Sequence, residues 1–153
     1  MKQIYQSSWK LPENFHEQIE SFINAASLVL NSAEILLKHK KYLLDTIVWK
    51  VTEAGGKNKK DTRFISESVY NADKLGNPDK IKFEHEHVRP KRKVLQDLLD
   101  SPDKIQSILN SAIACTVTHE EHRLLKDGEG WDRYKAANIR VYDRLEKKFT
   151  DSK

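Results

Sequence analysis

An apolar, β-branched run that leads directly into a helix start signal is the feature that most restricts how this chain can fold. The run extends over residues 113–117, and Thr118, His119, Glu120 and Glu121 follow it. A hydroxyl followed three residues later by a glutamate is a capping box, in which both side chains satisfy backbone N–H groups at the start of a helix. The pattern predicts a buried strand that passes directly into a helix, with His119 and His122 on one helix face.

A second strand is predicted upstream of this one. Ile81 and Phe83 alternate with charged residues, and Pro90 favours extended geometry for the residue before it. The strand should end near His87. Since side chains alternate along a strand, His85 and His87 share one of its faces.

These two segments carry a resemblance to a known family. Glu86, His87 and Pro90 stand at the spacing with which the HNH, or ββα-metal, nuclease motif opens: an acidic residue or His, then His, two residues and Pro. His122 takes the place of the metal-binding His on the helix after the second strand. The chain resembles this family over residues 64–142. The expected fold is α+β and mainly helical, with an N-terminal helical hairpin followed by an HNH-like ββα-metal motif that carries a helical insert.

The resemblance implies a catalytic assignment. Glu86 and His122 would bind one divalent cation, with His119 as a further ligand, and His87 would be the general base that activates a water for attack on the phosphate. Mg²⁺ is the first candidate, and Mn²⁺, Ni²⁺ and Zn²⁺ are alternatives. Asn110 is the candidate for the Asn that orients the base in this family.

Other interpretations of the histidines stay open. His85 can exchange roles with His87, because both lie on one strand face. The four histidines could instead form a structural zinc clip. They could also be ordinary residues of a solvated strand and of an exposed first helical turn.

A basic cluster directly follows the predicted base. Arg89, Lys91, Arg92 and Lys93 could hold the phosphates that flank a cleaved bond. The net charge of +4 is modest for a nucleic-acid binder, so the position of the charge matters more than its sum. The expected partner is nucleic acid, DNA rather than RNA.

The first third of the chain is predicted to be helical. Residues 13–53 carry two apolar stripes at helical spacing, and Gly55 and Gly56 end the second. A capping signal at residues 31–34 favours two helices, and a single long helix that continues through residues 38–41 is the alternative. A single domain is expected, with a helical part at 1–56 and an HNH-like part at 57–153. The wide apolar faces suggest a homodimer or a larger complex through these helices.

The remaining segments are predicted from local signals. Residues 91–100 and 101–110 should form two helices between the strands, and residues 63–72 a short helix. The C-terminal part should form a loop, a short helix and a strand near residues 139–142, followed by a polar tail.

Two function classes remain. The leading one is a metal-dependent HNH-like endonuclease that hydrolyses DNA in restriction, phage defence or mobile-element biology. The alternative is a non-catalytic nucleic-acid-binding module or a protein inhibitor. With a single cysteine, Cys115, and no long apolar run, the chain is expected to be cytoplasmic and not membrane-bound.

Overall fold

The computed structural model describes residues 8–126 and 128–150, which form an α+β fold. The two N-terminal helices follow the two apolar stripes, and the break between them falls at the predicted capping signal. A short 3₁₀ turn, Pro102–Lys104, joins two of the later helices. The helices in this part of the chain are α1 (Phe15–Asn31), α2 (Leu37–Glu53), α3 (Glu67–Lys74), α4 (Lys91–Asp100), α5 (Ile105–Asn110), α6 (His119–Leu124) and α7 (Asp132–Ala136).

The same part of the chain forms a mixed sheet of five strands. Its strands are β1 (Phe64–Ser66), β2 (Phe83–His87), β3 (Ala114–Thr118), β4 (Val141–Asp143) and β5 (Lys148–Thr150), in the spatial order β2-β3-β1-β4-β5. β1 and β3 are parallel, and the other neighbouring pairs are antiparallel. All five residues of β3 are buried, as expected for an apolar run in the middle of a sheet.

The connection between β2 and β3 is the predicted helical insert. The two strands pair along their whole length, from Phe83 opposite Thr118 to His87 opposite Ala114. Between them the chain forms α4, the 3₁₀ turn and α5, which match the two helical segments expected from the sequence. Because α6 begins directly after β3, it starts beside the first residues of β2.

The segment at residues 63–72 was predicted to be one helix, and this was wrong in its first part. Phe64 and Ile65 instead enter the sheet between β3 and β4, and only from Glu67 onward is the chain helical. Ser66 marks the change, because its hydroxyl accepts a hydrogen bond from the backbone N–H of Val69 and so caps α3. The edge strand β5, which pairs with β4, was not predicted either.

The largest group of buried apolar side chains joins the N-terminal helices to the insert. Residues of α1 and α2 pack against residues of α4 and α5, so this core crosses the boundary expected at residue 56. Its fully or nearly fully buried members are Ala26, Leu44, Val48, Val51, Val94, Leu98, Ile105, Ile108, Leu109 and Ala112.

Several large apolar side chains of α1, α2 and their connection stay exposed. Leu28 and Tyr42 are 75% and 73% exposed, and Leu36 and Leu37 are more than half exposed. Assembly through these helices remains a prediction. Within residues 8–126 and 128–150, no helix combines the length and apolar character needed to cross a lipid bilayer.

Candidate functional site

The start of α6 is fixed by the predicted capping box. The Thr118 hydroxyl accepts a hydrogen bond from the Glu121 N–H at 3.1 Å, and the Thr118 N–H donates to Glu121 Oε2 at 2.9 Å. The Ser66 hydroxyl donates to the same carboxylate oxygen at 2.5 Å. The first turn of α6 is therefore tied to both β3 and β1, which sets the direction of its two histidines.

Both histidines of α6 contact glutamates of β2. His119 Nδ1 lies 3.0 Å from Glu84 Oε1, and His122 Nδ1 lies 2.5 Å from Glu86 Oε2. The two glutamates are two residues apart and so share one strand face, while the histidines are three apart and share one helix face. The imidazoles are 49% and 48% exposed. Two His–Glu pairs therefore stand side by side at the surface.

Arg133 of α7 completes this side of β2. Its guanidinium donates to Glu86 Oε1 at 2.7 Å, and Nη2 also donates to the backbone carbonyl of His87. The side chains of Arg133 and Glu86 are only 10% and 12% exposed. Glu86 is thus held between a buried cation and His122, one partner at each carboxylate oxygen.

The opposite face of β2 carries His85 and His87, which meet α2. Their Nε2 atoms lie 3.1 and 3.3 Å from the hydroxyl of Thr52, and both rings pack against Trp49. Burial lowers the pKa of His85 below its usual value and lowers the pKa of His87 to about 4. Both rings are therefore neutral at physiological pH.

No family model, curated protein or solved structure matches this chain.

The structure brings some of the predicted site residues together and separates others. Glu86 and His122 are in contact, and His119 lies beside them with Glu84 as its partner. His87 projects to the other face of β2. Asn110 ends α5, is exposed, and lines a cavity of about 520 Å³ on the α2 side of the sheet.

The four histidines do not converge on one point, because the β2 pair and the α6 pair occupy opposite faces of β2. Within residues 8–126 and 128–150 there is no group of three or more His, Cys, Asp or Glu side chains arranged to hold a metal ion. The zinc clip considered from the sequence is therefore not formed.

The predicted basic cluster is largely neutralised by acidic neighbours. Arg89 pairs with Asp97 and Glu129, and Lys93 lies 3.8 Å from the same Glu129. Similarly, the ammonium of Lys91 lies 3.0 Å from a carboxylate oxygen of Asp45 on α2 and sits over the ring of Trp49. Arg92 is the exposed member of the cluster.

Three residues of the site were not among the predicted site residues. Glu84 could have been found, since it shares the strand face of Glu86 by alternation. Arg133 and Thr52 carry no such signal, because they lie 47 and 33 residues from the strand residues they contact. Only packing brings them to β2.

Proposed function

We propose that the Glu84 and Glu86 face of β2, together with the exposed face of α6, forms the centre of a metal-dependent, HNH-like endonuclease that hydrolyses DNA phosphodiester bonds. The observation that carries the proposal is the contact between Glu86 and His122. Glu86 is supplied by β2, and His122 is supplied by α6, the helix that follows β3. This is the pairing that the family resemblance implies.

The donor set fits a hydrated divalent ion. Glu86 Oε2 and His122 Nδ1 offer one carboxylate oxygen and one imidazole nitrogen. Mg²⁺ and Mn²⁺ suit such a site, because Mg²⁺ in particular keeps several water ligands and needs few protein donors. A closed four-ligand zinc site does not fit these two donors. When bound, the cation would polarise a phosphoryl oxygen as a Lewis acid.

In this proposal the general base is His119 and not His87. Glu84 contacts His119 Nδ1, which favours the tautomer with a proton on Nδ1 and leaves Nε2 as the proton acceptor. The hydrogen bond from His119 holds the pKa of Glu84 below its usual value, so the carboxylate is charged and favours the imidazolium formed in the reaction. His87 is half-buried against Thr52 on the other strand face and does not share this surface.

Exposure and charge favour a polymeric anionic substrate. Both α6 imidazoles are about half exposed, so an extended strand can reach them. Arg123 within α6 and Lys126 just after it are exposed cations, and Lys82, which immediately precedes β2, is exposed and lies 3.6 Å from Glu84. Contacts of this kind bind phosphates without reading sequence.

The test is cleavage of supercoiled plasmid by tag-free protein with Mg²⁺, Mn²⁺ or EDTA. Metal-dependent nicking is expected for the wild type. Glu86→Gln and His122→Ala should lower the rate by at least about tenfold through loss of the metal ligands. His119→Ala should lower it by about 10²–10⁴-fold, the usual contribution of a general base.

Two further variants make the assignment specific. His39→Ala removes an exposed histidine of α2 and should cleave like the wild type. His87→Ala should retain cleavage, provided that its circular dichroism spectrum shows a folded protein. The proposal fails if the wild type does not cut with either metal, or if cutting survives both Glu86→Gln and His122→Ala.

A further inference from the structure

Two imidazoles and one hydroxyl meet on the face of β2 that the proposed function does not use. His85 Nε2 and His87 Nε2 lie 3.1 and 3.3 Å from Thr52 Oγ1. The ring of Trp49 lies beside both imidazoles, with centroid separations of 5.1 and 4.9 Å. The two imidazole centroids are 5.0 Å apart. The two nitrogens therefore converge on one point between α2 and the sheet.

The hydrogen-bond donors at this point are too few for the acceptors. Thr52 has one hydroxyl proton, which it donates to the carbonyl of Trp49 at 2.7 Å. His85 Nδ1 faces the carbonyl of Lys59 and must carry a proton to bond with it. A neutral His85 then presents a lone pair at Nε2, so this nitrogen and the Trp49 carbonyl compete for the single proton of Thr52.

A lone pair that lacks a donor proton is what a metal cation binds. Metal-ligating histidines usually donate their other N–H to a carbonyl or carboxylate, as His85 does to Lys59. Neutral imidazoles prefer Zn²⁺, Cu²⁺ and Ni²⁺ to Mg²⁺.

We propose that His85 Nε2 and His87 Nε2 bind one transition-metal cation of the Zn²⁺ or Ni²⁺ class, with the Thr52 hydroxyl as an adjacent oxygen donor and water completing the shell. This site is independent of the Glu86 and His122 pair, because it lies on the opposite face of β2. The bound ion links α2 to β2 and, through Lys59, to the loop that precedes β1.

Trp49 provides a direct readout. Ni²⁺ quenches tryptophan fluorescence at short range, and Trp49 packs on both ligands. Titration of tag-free protein with Ni²⁺ should give saturable quenching at one equivalent in the wild type. The quenching should be absent from Trp49→Phe, in which Trp9 and Trp131 remain, and excess Mg²⁺ should not reverse it.

Variants locate the ion. His85→Ala and His87→Ala should each weaken Ni²⁺ binding by more than tenfold, by direct loss of one of two imidazole ligands, while Glu86→Gln, His122→Ala and His39→Ala should bind like the wild type. His85→Gln and His87→Gln, which keep polar side chains of similar size, serve if an alanine variant does not fold. Zn²⁺ should also raise the unfolding temperature of the wild type and leave that of the folded His85 and His87 variants unchanged.

Three results would overturn the proposal: no quenching of Trp49, unchanged affinity in folded His85 and His87 variants, or loss of binding in His122→Ala. Because these readouts do not involve DNA cleavage, they are separate from the test of the nuclease.

Discussion

Glu86 and His87 are consecutive in the chain but face opposite sides of β2. Glu86 contacts His122 of α6 and Arg133 of α7, whereas His87 contacts Thr52 of α2. Strand alternation imposes this separation, since neighbouring side chains point to opposite faces. The two residues that the family resemblance assigns to one centre therefore belong to two clusters, one that contains the surface histidines of α6 and one that is half-buried and neutral.

Glu86 is expected to contribute much more to stability than Glu84. Glu86→Ala leaves the buried guanidinium of Arg133 without its carboxylate, and removal of one partner of a buried pair costs about 3–5 kcal/mol. Glu84→Ala is the matched control, because its partner His119 is half exposed and solvent screening makes the loss much smaller. Urea denaturation measures both. Equal losses of stability in the two variants would show that Glu86 does not stabilise the buried charge of Arg133.

The capping box should determine the stability of α6. Thr118→Ala removes the acceptor for the Glu121 N–H and should lower the free energy of unfolding by about 1 kcal/mol. Thr118→Ser keeps a hydroxyl at the cap and should lose much less. If the nuclease proposal holds, Thr118→Ala also slows cleavage, because His119 and His122 lie in the first turns that the cap fixes. Thermal unfolding of the wild type, Thr118→Ala and Thr118→Ser measures the difference. Equal stability of the two variants would contradict the role of the cap.

Gly56 is required by a close backbone approach, whereas Gly55 is not. A Cβ at Gly56 would lie 1.6 Å from the carbonyl oxygen of Asp61, while a Cβ at Gly55 meets nothing within 4 Å. Gly56→Ala must displace the loop that carries Lys59 and should lower the free energy of unfolding by more than about 1 kcal/mol. Gly55→Ala should change it by no more than about 0.5 kcal/mol. Chemical denaturation of the two single variants distinguishes them, and similar values would refute the close approach.

Stability should rise with pH between about 4 and 6.5, partly because of His87. Burial lowers its pKa from 6.5 to about 4, so in this interval the unfolded chain binds a proton that the folded chain does not. The free energy of unfolding therefore increases with pH up to about 6.5. The contribution of His87 to it is lost as the pH falls toward 4. His85, whose pKa is also lowered by burial, adds to the same slope.

His87→Gln should flatten this pH dependence, measured by urea denaturation in EDTA from pH 4 to 7.5. The control is His39→Gln, at an exposed position of α2, which should keep the wild-type slope. An unchanged slope in His87→Gln would mean that His87 titrates normally in the folded state.

The parts of the fold that were predicted correctly depend on contacts between residues close in sequence. The capping box of α6, the break between α1 and α2 and the helical insert between β2 and β3 all have local signals. The strand β1 was missed because three residues carry too little periodicity to outweigh the helical pattern that follows. Its place in the sheet comes from pairing with β3 and β4, which lie about 50 and 80 residues away.

The sequence by itself determined the face on which each candidate residue lies, because side-chain direction follows the period of a strand or helix. It thus placed Glu84 and Glu86 on one face of β2 and His85 and His87 on the opposite face. It also placed His119 and His122 on one face of α6. Only the tertiary structure decided what covers each face: α6 and Arg133 on one side, Thr52 and Trp49 on the other, and acidic partners for Arg89, Lys91 and Lys93. Such partners are selected by packing between distant segments, and local periodicity carries no information about them.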